Sequence, residues 1–272
     1  MNFASYTFRS LEAIRQSAPL IHNITNYVVM NSSANTLLAL GASPVMAHCR
    51  AEVEEMVSFA GALVLNIGTL QEDWVESMIW AARAANLKGI PVILDPVGAG
   101  ATRLRTESAK KIVAECAVTV LRGNASEIFS LGLVDVKTRG VDSSLVFTDE
   151  MVEAAVTLSC EMNCVVAISG PEDCITDGKR VFRVRNGHPL MTKVTGMGCG
   201  LSAVTGAFCA VDPGDPAKAA AAAFGLYGLC GDLAIRISDQ PASFSVAFTD
   251  QIFSIDDQQI TALLKVREET FR

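Results

Sequence analysis

Short, β-branched apolar runs recur along this chain with longer amphipathic stretches between them, and that alternation restricts the possible folds more than any other feature. Val64-Leu65-Asn66-Ile67, Val92-Ile93-Leu94, Val118-Thr119-Val120-Leu121 and Val165-Val166-Ala167-Ile168 are each closed by Gly, Asp-Pro or Arg-Gly. Runs so short and so apolar read as strands buried on both faces. Between them, Glu72 to Leu87 brings Trp74, Val75, Met78, Ile79 and Ala82 onto one helical face, and Thr106 to Cys116 follows the same period. Strand and helix in alternation predict βαβ units with right-handed crossovers, hence an α/β fold with a mainly parallel central sheet flanked by helices.

No Pro/Gly/Ser-rich linker, low-complexity segment or internal repeat divides the 272 residues, so 1–272 reads as a single domain. Residues 133–148 (LVDVKTRGVDSSLVFT) are the most polar interior stretch and are expected to form a surface excursion. Asp173 to Arg185, with a turn at Thr176-Asp177-Gly178, predicts a β-hairpin, followed mostly by helix. Ala219 to Cys230 is the most apolar segment, but a spanning helix needs ~20 such residues, so it reads as a buried core helix and no membrane association is expected.

Composition narrows the function classes. Half of the residues are apolar and 19% are charged, which rules out disorder and disulfide-scaffold chemistry. With 22 basic against 29 acidic residues, the net charge of −7 gives no global field for a nucleic-acid backbone. No basic-then-apolar leader opens MNFASYTFRS, so the eight cysteines are expected as free thiols in a reducing cytoplasm. Cys160, Cys164 and Cys174 do not have the spacing of a common zinc site.

In parallel sheets ligands gather at the carboxyl ends of strands, which directs attention to three loops. Leu94-Asp95-Pro96-Val97-Gly98-Ala99-Gly100 places a carboxylate after one strand. Leu121-Arg122-Gly123-Asn124-Ala125-Ser126-Glu127 brings a guanidinium, a carboxamide and a second carboxylate after the next. Thr192-Lys193-Val194-Thr195-Gly196-Met197-Gly198-Cys199-Gly200 opens into the apolar helix Leu201 to Val211. Glycines at a helix start let backbone N–H groups converge on one point, where the dipole favours a phosphate. A tight turn that merely needs glycine is the plainer reading of that loop. It matches neither a Walker A loop nor a dinucleotide fingerprint. Asp95 and Glu127 are suited to Mg²⁺ among nucleotide phosphates. Taken singly, Asp before Pro is a turn former and Asn124-x-x-Glu127 a helix capping box. Together with Arg122 on neighbouring strand ends, the metal–phosphate reading is the stronger.

These motifs, in this order, are what identify a family. With Ile24-Thr25-Asn26, Leu37-Leu38-Ala39-Leu40-Gly41-Ala42-Ser43-Pro44-Val45-Met46 and Asn66-Ile67-Gly68-Thr69-Leu70, the three loops resemble, over nearly the whole length, the hydroxyethylthiazole kinases of thiamine salvage. The resemblance implies a three-layer ribokinase-like fold. It also implies ATP-dependent phosphorylation of the primary alcohol of 4-methyl-5-(2-hydroxyethyl)thiazole, with Mg²⁺, in a homotrimer with sites between subunits. By position, Met46 and Gly196 would contact the thiazole, with Asn26 and Gly68 beside them. Arg122, Ser169 and Asn124 would serve ATP, Asp95 and Glu127 would arrange Mg²⁺ and phosphates, and Gly196, Gly198 and Cys199 would form the catalytic loop. The alternatives are a kinase for another small alcohol such as hydroxymethylpyrimidine, a nucleotide-dependent dehydratase, or a thiazole or nucleotide sensor without turnover. The two related enzymes usually carry Asp where Cys199 stands.

In the wider superfamily that Asp takes the hydroxyl proton; in the thiazole kinases the position is Cys, as here. A thiol at a helix N-terminus is expected to lose its proton more readily, giving partial thiolate near neutrality. Phosphoryl transfer depends mainly on positioning, so Cys199 is expected to hold the alcohol and assist deprotonation only weakly. Two departures from the family pattern stand out: Ser169 replaces the usual Thr, and Gln240-Pro241-Ala242-Ser243-Phe244 replaces a Gly-Pro-Gly-Ser-Phe run. Ala242 resists positive φ, so a different loop is expected there. The three histidines, His22, His48 and His188, suggest no Ser-His-Asp arrangement.

Overall fold

The computed structural model describes residues 2–132 and 148–271. All but the last residue of the expected excursion at 133–148 lie outside that range. Among the described residues one sheet runs through the molecule. Its strands are β1 (Leu20–Ile24), β2 (Ser43–Met46), β3 (Ala62–Asn66), β4 (Val92–Asp95), β5 (Val120–Asn124), β6 (Val165–Ser169), β7 (Asp173–Thr176), β8 (Arg180–Val184) and β9 (Val266–Thr270). Their order is β2-β1-β3-β4-β5-β6-β7-β8-β9. Pairing is parallel from β2 to β6 and antiparallel from β6 to β9.

Period-two alternation sends neighbouring side chains to opposite faces. Val64, Ile93, Val120 and Ala167 join one apolar core. Leu63, Leu65, Leu94, Leu121, Val166 and Ile168 join another on the far side. The first core is covered by α1 (Phe3–Ser17), α2 (Met30–Leu40), α8 (Met197–Val211), α9 (Pro216–Ala234), α10 (Pro241–Ser254) and α11 (Asp257–Leu263). The second is covered by α3 (Val53–Phe59), α4 (Glu72–Lys88), α5 (Arg103–Glu115), α6 (Ala125–Phe129) and α7 (Asp149–Met162). Helices on both faces of a mainly parallel sheet are what the strand–helix alternation predicts, and they make the three layers that the resemblance implies.

The helices obey their end signals. α4 carries Glu72 and Asp73 in its first turn and Lys88 in its last, and stops at Gly89 with φ +76°. It buries Trp74, Val75, Met78, Ile79 and Ala82, as the periodicity predicts. α9 starts on Pro216 behind the Asp215 N-cap and is buried almost throughout. No helix among the described residues is long and apolar enough to cross a membrane. The hairpin turns where expected, between β7 and β8.

Two expectations need correction. β5 begins at Val120 and continues to Asn124, so Arg122 is a strand residue and not part of the following loop. The polar end Arg122-Gly123-Asn124 keeps strand geometry because it ladders with Ala167, Ile168 and Ser169 of β6. Gln240 to Phe244 form the N-cap and first turn of α10, with Pro241 at its start. Ala242 is therefore helical and needs no positive φ, and alanine suits a helix better than glycine.

Candidate active site

The carboxyl ends of β2, β1, β3, β4, β5 and β6 lie side by side. At about 4.8 Å per interstrand gap they span roughly 24 Å, enough to seat an acceptor and a nucleotide end to end. Met46 ends β2, paired with Asn23 of β1. Asn26 follows β1, Asn66 ends β3, and Asp95 ends β4 directly opposite Asn66. Asn124 and Ser169 end β5 and β6, again as register partners. α8 packs over β3 and β4, bringing its N-terminus to the middle of this edge.

Gly196 is the N-cap of α8 with φ +85°, a conformation that disfavours any side chain. A Cβ there would also lie 3.0 Å from Val29 and 3.1 Å from Ser32, on the segment that follows Asn26. The Gly200 N–H bonds to the Gly196 carbonyl at 2.8 Å. The N–H groups of Met197, Gly198 and Cys199 thus precede the helix's internal ladder and are free to face an anion. At Gly198 a Cβ would lie 3.0 Å from Arg122 Nη1. The two glycines therefore open the loop toward opposite halves of the edge, Gly196 toward the β1 side and Gly198 toward Arg122. The plainer tight-turn reading is also correct for Gly196, since one residue meets both needs.

Arg122 is the dominant charge. It is only 6% exposed, lies 5.8 Å from the Phe224 ring centroid, and donates from Nη2 to Ser169 Oγ at 2.9 Å. Nη1 stands 3.7 Å from Asp95 Oδ2, and Nε is buried without a partner among the described residues. Asp95 Oδ2 accepts from Asn66 Nδ2 at 2.8 Å and from Ser202 Oγ at 2.7 Å. Burial pushes the Asp95 carboxyl up to about 6, against the opposing pull of Arg122, Ser202 and Asn66. Asp173, at the start of β7, is likewise raised by burial to about 7, although it accepts the Gly170 N–H at 2.9 Å and feels the Arg122 charge. At 3.7 Å the Arg122–Asp95 pair is not a close ion pair, so the guanidinium keeps donors for an anion.

Glu127 has a structural duty. Its Oε2 accepts the Asn124 N–H and the Asn124 side chain accepts the Glu127 N–H, both at 2.9 Å, which is the capping box of α6. Its Oε1 accepts the Gly98 N–H at 2.9 Å, tying the β4 and β5 loops together. Among the described residues no three His, Cys, Asp or Glu side chains cluster as a metal cage.

Cys199 differs from its expectation. It occupies the third position of α8, yet its thiol pKa is raised: burial disfavours the thiolate first, and the Asp95 charge adds to it. Desolvation outweighs the helix dipole here because the thiol faces inward, toward Asn26 and Asn66. Asn26 Nδ2 donates to Cys199 Sγ at 3.6 Å and to Asn66 Oδ1 at 2.8 Å. Gly68 follows on the same connection, and its N–H donates to Asn66 Oδ1 at 3.0 Å. A Cβ at Gly68 would lie 2.5 Å from Asn26 Nδ2, so the amide occupies the space that glycine leaves open.

The structure thus gathers Asn26, Gly68, Asp95, Arg122, Ser169, Gly196, Gly198 and Cys199 into one connected set, with Asn124 and Glu127 beside it through the α6 cap. Met46 shares the edge two strands beyond Asn66. Two participants carried no assignment from the sequence, Asn66 and Ser202. The signal for Asn66 was a carboxamide closing an otherwise apolar strand. Ser202 lies within an apolar helix and gave no comparable sign.

Comparison with known proteins identifies the family. A model of the hydroxyethylthiazole kinase family matches residues 11–258. The hydroxyethylthiazole kinase of Desulfotalea psychrophila is 52% identical over 269 residues, covering 99% of this chain and 98% of that protein. The solved structure of a hydroxyethylthiazole kinase protein from Pyrococcus horikoshii OT3 superposes with a TM-score of 0.89 at 43% identity, covering 97% of this chain and 99% of that one. A ribokinase-like superfamily protein from Enterococcus faecalis shares the fold at a TM-score of 0.62 and 13% identity, over 86% of both chains.

Proposed function

This chain belongs to the hydroxyethylthiazole kinase family, and we propose that it phosphorylates the primary alcohol of 4-methyl-5-(2-hydroxyethyl)thiazole with ATP, as in thiamine salvage. The observation that carries the reading is Arg122: a buried guanidinium whose Nε has no partner among the described residues, beside the three first-turn N–H groups of α8. Such a site suits the charge carried by a transferring phosphoryl group.

In this reading the nucleotide lies over β5 and β6, with Arg122, Ser169 and Asn124 toward its phosphates. The thiazole lies over β1 and β2, near Met46, Asn26, Gly68 and Gly196. The acceptor oxygen bonds to the terminal phosphorus as the bond to the ADP oxygen breaks, and the hydroxyl proton passes late to an oxygen of the transferred phosphoryl group and from there to water, consistent with a loose transition state. Arg122 and the N–H groups of Met197, Gly198 and Cys199 stabilise the charge on the phosphoryl oxygens. Cys199, neutral and held by Asn26, orients the alcohol.

The carboxylates fit Mg²⁺ only as a largely hydrated, phosphate-borne ion. Glu127 already accepts two backbone N–H bonds and Asp95 Oδ2 two side-chain bonds, which leaves a few lone pairs and no cage. Glu127 and Asp95 would hold such an ion mainly through water. When bound, it would neutralise phosphate charge.

The assembly proposed is a homotrimer with sites between subunits, in the cytoplasm. Tyr27 at 55% exposure and Val28 at 68%, adjoining the buried Asn26, support an interface beside the site. Light scattering that gives a monomer would overturn it. The function itself is tested by ADP release with Mg-ATP and hydroxyethylthiazole, hydroxymethylpyrimidine or no acceptor. Turnover with the thiazole alone is expected. Turnover with the pyrimidine alone moves the function to another kinase of the same fold, and ATP binding without turnover makes the chain a sensor.

A further inference from the structure

Two side-chain amides at the site have orientations that their neighbours fix. The N–H groups of Val28 and Gly68 can only donate, and they point at Asn26 Oδ1 (3.1 Å) and Asn66 Oδ1 (3.0 Å). Asn26 Nδ2 must then face Asn66 Oδ1 and Cys199 Sγ, while Asn66 Nδ2 faces Asp95 Oδ2. The resulting chain is directional: Asn26 donates to the thiol and to Asn66, Asn66 donates to Asp95 Oδ2, and Ser202 donates to the same oxygen. Asn66 is 2% exposed and ends β3, whose neighbours are β1 and β4.

We propose that Asn66 is a positioning residue, whose carboxamide locks the acceptor-side groups Asn26 and Cys199 in fixed register with the nucleotide-side pair Asp95 and Arg122. A strand end that needed only to satisfy the Gly68 N–H would require one acceptor. Asn66 supplies that acceptor, a second bond to it from Asn26, and a donor to the carboxylate beside Arg122. Transfer between two bound substrates loses rate steeply when the groups that align them shift by fractions of an ångström. The inference rests on the kinase reading above, with a small primary alcohol as acceptor.

The test uses Asn66→Ala, and Asn66→Asp as an isosteric variant that keeps the acceptor and removes the donor. With thermal stability checked for each, kcat is expected to fall about thirtyfold or more while KM for Mg-ATP stays within about threefold. Combining Asn66→Ala with Asn26→Ala is expected to lose little beyond the worse single variant, because neighbours in one hydrogen-bonded chain do not act additively. A readout independent of turnover is backbone hydrogen exchange at Val28, which bonds to Asn26 and not to Asn66. It is expected to accelerate about tenfold in Asn66→Ala, as local opening becomes easier. Stable variants with parental kcat, multiplicative losses, or unchanged exchange at Val28 overturn the relay. A parent without thiazole turnover overturns the kinase reading instead, and the exchange experiment still decides whether Asn66 holds Asn26.

Discussion

The Arg122 guanidinium and the Asp95 carboxylate meet at 3.7 Å, both almost fully buried, where β4 and β5 run side by side. The separation is too long for a tight bidentate pair, and Asp95 spends its close contacts on Asn66 and Ser202. Arg122 thus retains donors for a ligand. Replacing it with Gln is expected to raise KM for ATP by about 10- to 100-fold, the worth of one charge-assisted hydrogen bond or slightly more, with a smaller effect on the acceptor. Initial-rate kinetics with each substrate varied in turn will show it; equal KM for ATP in parent and variant would place the nucleotide elsewhere.

The glycines offer a paired experiment on the two halves of the edge. Gly198→Ala pushes a methyl group to 3.0 Å from Arg122 Nη1, and Gly68→Ala pushes one to 2.5 Å from Asn26 Nδ2. Crowding of this kind costs about 1–3 kcal/mol, so each variant should lose about 5- to 150-fold in kcat/KM for the substrate on its own side. Gly198→Ala is expected to act on ATP and Gly68→Ala on the alcohol, and the reverse pattern would exchange the two subsites.

Cys199 is expected to behave as a neutral thiol. Burial and the Asp95 charge raise its pKa, so its thiolate fraction grows only in alkaline solution. Peptide-mapped alkylation by iodoacetamide should be slow at neutral pH and quicken as the pH rises. Cys199→Ala should cost less than about tenfold in kcat, ~1.4 kcal/mol. A loss above about a thousandfold would make the thiol a catalytic base.

Away from the site, Arg180 joins the hairpin to α9 by pairing with Asp177 and Asp215 at 2.7 Å each. Asp215 is also the N-cap of α9. Hydrogen bonding to Arg180 is the main cause that lowers the Asp215 pKa, while at Asp177 backbone and Arg180 bonds together overcome burial. Folded-state values below the ordinary carboxylate range mean that this stabilisation is complete above about pH 4 and fades as pH falls through the lowered values. Arg180→Met should therefore lower Tm at pH 7 by several degrees and much less near pH 2.5, as read by thermal melts at both. An equal loss at both values would assign the effect to packing on Phe182.

Much of the site was legible because its residues follow apolar runs at predictable places. Asp95 after Val92-Ile93-Leu94 needed only the rule that strand ends carry ligands, whereas Ser169 after Val165-Val166-Ala167-Ile168 was singled out only by the family resemblance. The capping box was legible too, and it is present in the structure, with Glu127 also tying the β4 and β5 loops together. β5 was displaced because Arg122 and Asn124 look like loop residues; a strand tolerates them when its neighbour β6 satisfies the ladder.

By itself, the sequence determined that helices flank a mainly parallel sheet, since short apolar runs alternating with amphipathic stretches call for βαβ units, and it pointed to loops that meet at the sheet edge. Only the tertiary structure decided how the groups there are charged and aimed. Asn26 reaches Asn66 across 40 residues and Ser202 reaches Asp95 across 107. Local rules placed Cys199 at a helix start and gave it an easy proton. Burial reversed that, because the cost of desolvating a charge depends on everything packed around it and on nothing that spacing along the chain can reveal.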